Sequence, residues 1–150
     1  MRTTASRQHL QLSVVLFGLL AACGSNAGLP SINPSISISS PTNNSSVNLP
    51  SNKQIALGFN TNYTVRAPGT CQGTENCGHV YVLVDNSSCN LSNLPYNNLA
   101  SSSPSFADLS RCVTATGMHT VTVELRHDDG TIVSNLVGTA VTDKVTITAQ

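Results

Sequence analysis

Residues 119–127 read His-Thr-Val-Thr-Val-Glu-Leu-Arg-His, an alternation without a break. In an extended chain, side chains two apart share a face, so Val121, Val123 and Leu125 fall on one side and Thr120, Thr122 and Glu124 on the other. The same habit recurs in shorter form over 35–39, 47–49, 53–59, 63–66, 131–133 and 141–149. Residues 79–85 (HVYVLVD) are the most hydrophobic of these runs and are expected to lie centrally. Beyond the first 22 residues no segment sustains an apolar repeat near 3.6. Pro41 and Pro50, the polar tract 43–46 and the Asp129-Gly130 pair punctuate the strands. About seven short strands in about 115 residues can cover their apolar faces only against one another, which predicts an all-β, two-sheet antiparallel sandwich.

Charged residues make up 9 % of the chain, the formal net charge is zero, and aromatics are 4 % with no Trp. This composition offers no basic footprint for nucleic acid and no acidic patch for a cationic partner. A carbohydrate-stacking platform is equally unsupported. The exterior must be built from Ser, Thr and Asn.

The stretch Ile36-Ser37-Ile38-Ser39-Ser40-Pro41-Thr42-Asn43-Asn44-Ser45-Ser46-Val47 resembles the opening of many bacterial immunoglobulin-like domains. There a strand, a Pro break and a polar turn lead into a second short strand. Gly78-His79-Val80-Tyr81-Val82-Leu83-Val84-Asp85, with Gly117-Met118-His119 further on, is similar to small exported domains of unassigned function. Their signature is Gly-His-x-His-x-x-x-Asp followed by Gly-x-His, and Tyr81 stands where it has its second His. The resemblance covers 36–150 and implies an immunoglobulin-like β-sandwich of about seven strands.

The N-terminus carries a different signal. Arg2 and Arg7 precede an apolar run, 10–22, of about 13 residues, the length of a signal-peptide core and short of the ~20 a membrane-spanning helix needs. It closes on Leu20-Ala21-Ala22-Cys23, which resembles the bacterial lipobox at every position. The resemblance implies cleavage after residue 22, a diacylglyceryl group on the Cys23 thiol and an acylated Cys23 amine. Two or three acyl chains, at ~0.8 kcal/mol per buried methylene, anchor a protein stably where one does not. Gly24, where retained enteric-type lipoproteins carry Asp, implies the outer rather than the inner membrane. Residues 23–35 read as lipidated Cys and flexible tether, with Gly, Ser, Asn and two prolines.

Of five cysteines, four remain after Cys23. An even number in an exported chain points to disulfides, and four allow three pairings. Cys71–Cys77 and Cys89–Cys112 are favoured: the first closes a Gly-rich loop, the second staples a long Ser/Asn-rich connection with little to bury. No C-x-x-C and no zinc-finger spacing is present.

Catalytic motifs are missing from the sequence: no G-x-S-x-G, H-E-x-x-H, phosphate loop or dinucleotide fingerprint. Asp128 and Asp129 suit turn geometry rather than acid–base work, and Asp85 is expected to bond backbone in the turn after its strand. Asn44, Asn62, Asn86 and Asn90 match the glycosylation pattern by chance in an Asn/Ser-rich chain. His79 and His119 are the weak metal candidates: on neighbouring strands they would approach at one end, with Met118 or Asp85 nearby. Met118 and His119 have opposite parity, so the two histidines are expected to be structural, and no cofactor is expected. The sequence therefore reads as a non-catalytic, lipid-anchored binding or assembly module of the cell envelope, an accessory to adhesion, secretion or motility. Its protein partner would meet the two disulfide-bounded loops. The alternative is a periplasmic metal-handling domain using His79 and His119.

Overall fold

The computed structural model describes residues 32–150, and the expected signal peptide, Cys23 and most of the tether lie outside them. Nine strands follow one another: β1 Ile36–Ser40, β2 Ser45–Val47, β3 Gln54–Thr61, β4 Thr64–Val65, β5 Cys77–Val84, β6 Asn98–Ala100, β7 Ser105–Asp108, β8 Gly117–His127 and β9 Thr142–Ala149. One sheet has the order β1-β3-β7; the other runs β2-β9-β8-β5-β4, with β6 also pairing β5. The protein is an all-β sandwich, and the order β1-β3-β7 against β9-β8-β5 is that of an immunoglobulin-like fold.

The longest alternating runs pack between the sheets. Val121, Val123 and Leu125 of β8 meet Val80, Val82 and Val84 of β5, Val145 and Ile147 of β9, and Ile55, Leu57 and Phe59 of β3 in one core. β1 stops before Pro41, the chain turns, and β2 joins the second sheet parallel to β9. The break predicted at Pro41 and the 43–46 tract thus falls where the chain passes from one sheet to the other. Pairing at both borders of β5 confirms its central position.

Three sequence expectations need correction. The count is nine strands rather than about seven, because the 89–112 connection contains β6 and β7 and buries Ala100, Ala107 and Leu109. Of the run 63–66, only Thr64–Val65 form a strand, which pairs in parallel with β5 of the other sheet. The run 131–133 is no strand, and its one ladder contact is the isolated bridge Arg126–Ile132. Asp129-Gly130 does form the tight reversal after β8, with Gly130 at φ +85° and its N–H donating to the His127 carbonyl at 3.0 Å.

Both disulfides pair as favoured, Cys71–Cys77 and Cys89–Cys112. Among the described residues no helix is long and apolar enough to cross a membrane.

Candidate functional site

β5 and β8 run antiparallel, so the start of β5 and the end of β8 form one end of the sandwich, with Gly78 opposite His127. There the loop closed by Cys71–Cys77 and the turn after β8 bound a cleft of about 760 Å³. The hydroxyl of Tyr63, buried at the cleft, shares a hydrogen bond of 3.0 Å with His127 Nδ1, and burial pushes the phenol above its ordinary range. Asp128 reaches across to accept the Thr70 and Cys71 N–H groups at 3.2 and 3.4 Å, tying the turn to the disulfide loop. Asp129 accepts from the Thr131 hydroxyl and N–H at 2.7 and 2.9 Å, which holds its carboxyl below the usual carboxylate range. It serves the turn, as expected of it.

Glu75, Asp128 and Asp129 line this cleft, and among the described residues no Lys or Arg does. Three of the seven acidic residues thus converge on one concavity, correcting the expectation of no acidic patch. Zero net charge describes the sum and not its distribution. With Ile132 and Val133 beside the carboxylates, the cleft suits a cationic group on a partly apolar backbone.

The opposite end of the same two strands holds a second cluster. The turn after β5 runs through Asp85, Asn86 and Ser87 at φ 51°, 50° and 81°, three successive non-glycine residues in the left-handed region. Such a turn is costly and persists only where its surroundings dictate it. Asp85 Oδ2 lies 2.7 Å from Nδ1 of the buried His119, and Asp85 Oδ1 accepts the Thr120 N–H at 2.8 Å. His119 Nε2 faces the Ala115 carbonyl at 3.2 Å. Cys89 Sγ is 3.6 Å from Asp85 Oδ2. The expectation for Asp85 is corrected here: its carboxylate grips the next strand, and only its backbone carbonyl serves the turn, accepting from Ser88.

No family model matches the chain, and neither a curated protein nor a solved structure does. The site must be read from its own geometry.

His79 and His119 do not meet. His79 pairs with Arg126, whereas His119 lies beyond Val121, the partner of Val84. The length of β8 between those positions is about 23 Å. The joint metal site is therefore excluded by register. His79 is 1 % exposed on the outer side of its sheet, its Nδ1 without a partner among the described residues and its ring 5.3 Å from Tyr81. Burial lowers its pKa, with Arg126 in support and Asp128 and Asp129 opposing. Met118 points outward, as its parity predicts, and is 74 % exposed. Sequence reasoning missed Tyr63, Glu75 and His127, which have no motif and become neighbours only when β4 crosses to β5.

Proposed function

We propose that this chain is a non-catalytic, lipid-anchored module of the bacterial cell envelope that holds a basic segment of a partner protein in the acidic cleft. The observation that carries the binding site is the convergence of Glu75, Asp128 and Asp129 on a cleft walled by a disulfide-closed loop. Such a loop is ordered before any partner arrives, so little conformational entropy is lost on binding. The anchor rests on the lipobox at Leu20–Cys23, and the two disulfides accord with an oxidising compartment.

The position of the cleft is consistent with this reading. Pro34 lines it, the Asn33 side chain accepts the Leu136 N–H at 3.1 Å, and the chain reaches β1 from that end. Residues 23–32 reach about 30 Å at full extension, so a cleft at this end would work close to a bilayer surface. The 89–112 connection, expected to be the second contact surface, is committed to packing and offers less free backbone than a loop of its length.

The test is site-specific photo-crosslinking in cells, with the probe at Ile132 in the cleft and, as control, at Ser92 in the other end's loop. A partner captured from Ile132, lost with Glu75→Lys while the melting temperature holds, and displaced by salt, is the expected result. Equal capture from both positions, or indifference to Glu75→Lys, would sink the cleft reading.

A further inference from the structure

The geometry points to a Zn²⁺ site made of Asp85, Cys89, Cys112 and His119, masked by the Cys89–Cys112 disulfide and opened by a dithiol reductant. A ring nitrogen of His119, a carboxylate oxygen of Asp85 and the Cys112 sulfur all lie within 4.8 Å of one another. Cys89 Sγ brings the fourth donor, 3.6 Å from Asp85 Oδ2. Two thiolates, an imidazole and a carboxylate are a donor set that tetrahedral zinc accepts, with Zn–S near 2.3 Å and Zn–N near 2.0 Å.

The surroundings of these donors favour a metal rather than an ordinary ion pair. The carboxylate and the imidazole each have their other polar atom already engaged: Asp85 Oδ1 by the Thr120 N–H, His119 Nε2 opposite the Ala115 carbonyl. Outer partners of this kind orient metal ligands and set the imidazole tautomer. A cation bound to Nδ1 would leave the Nε2 proton to the Ala115 carbonyl; in the oxidised chain Nδ1 and Asp85 Oδ2 instead share a hydrogen bond of 2.7 Å. Neither sulfur can serve then, since a disulfide sulfur is not a thiolate.

The reductant's two thiols become its own disulfide, the Cys89–Cys112 bond breaks, and two electrons and two protons pass to the cysteines. Zn²⁺ then displaces both thiol protons and the proton shared by His119 and Asp85 to solvent. Cys112 is only partly buried and is the point of attack, while Cys89 is buried. The site depends neither on the lipid anchor nor on the cleft, which lies at the far end of β5 and β8.

The experiment uses the full chain with Cys23→Ser, removing the fifth cysteine, and the Cys71→Ser/Cys77→Ser pair in parallel. Zn²⁺ is titrated against a chromophoric chelator before and after reduction, and Co²⁺ replaces it for absorption spectra. The expected result is one ion per reduced chain, none per oxidised chain, and thiolate-to-cobalt charge transfer with the visible bands of a tetrahedral site. His119→Ala and Asp85→Asn should each weaken binding at least tenfold, and loss of Cys71 and Cys77 should change nothing. Cys89→Ser, which frees Cys112 without reductant, should bind Zn²⁺ in air, more weakly. A reduced chain that takes up no ion, folded or unfolded, overturns the proposal, as does binding indifferent to His119→Ala.

Discussion

At the residue scale, His79 and Gly78 show what a strand asks of single positions. His79 is buried without a partner at Nδ1, and burial lowers its pKa below the ordinary value near 6.5. As pH falls, the unfolded chain therefore takes up the proton first. The stability that neutral His79 contributes is present above about pH 6.5 and is lost as pH drops from there to the folded value. Urea midpoints between about pH 5 and 8 should show this decline, and His79→Gln should flatten it; an unaltered slope in the variant would assign it to other groups. Gly78 faces a harder limit, because a Cβ there would sit 1.8 Å from the Arg126 carbonyl oxygen. That atom is backbone and belongs to the paired strand, so it cannot swing aside. Gly78→Ala should cost about 3 kcal/mol or more by separating β5 from β8, read as a fall in melting temperature. A lone Gly before a hydrophobic run carries no sign of this in sequence, since the obstacle lies across the sheet.

At the element scale, the informative segment is 89–112. Its sequence has scattered apolar residues and many Ser and Asn, and no periodicity to announce a strand. It nonetheless supplies β6 and β7, since the exposed borders of β5 and β3 offer unpaired backbone to any segment brought alongside. The disulfide brings it there, and Asn97 holds it. Buried Asn97 donates to the carbonyls of Cys89 and Asp108 and accepts the Asp108 N–H at 2.8 Å. Asn97→Leu leaves three backbone groups unpaired and should cost about 3 kcal/mol, measured by urea unfolding. Removing the Cys89–Cys112 bridge, with a separation of 23, should cost about 3 kcal/mol, and Cys71–Cys77, with a separation of 6, about 2 kcal/mol. The order of these two losses is the check: the reverse would mean that loop closure is not the governing term.

At the scale of the whole molecule, two ends of one sheet carry different chemistry. The acidic cleft sits where β5 begins and β8 ends, beside the arriving N-terminal chain; the Asp85–His119 cluster sits at the other end. On the proposed anchoring, Cys23→Ala should move the protein from the membrane to the soluble fraction, because the apolar run 10–22 is too short to span a bilayer. Fractionation after a high-salt wash measures this, and a variant still bound to protein-free vesicles would end the lipid reading.

The sequence by itself determined the all-β class, the apolar face of β8, the central place of β5, the β1–β2 break at Pro41, the turn at Asp129-Gly130 and the cysteine pairs worth favouring. Each depends on spacing or on local backbone chemistry, which neighbours along the chain already specify. Only the tertiary structure decided that β6 and β7 exist, that His79 and His119 stand at opposite ends, and that Asp85 grips His119. The same holds for the gathering of Glu75, Asp128 and Asp129 from a neutral chain into one cleft. Those facts follow from which strands pair and in which direction. Antiparallel register converts a separation along the sequence into a distance in space, and no local pattern encodes it.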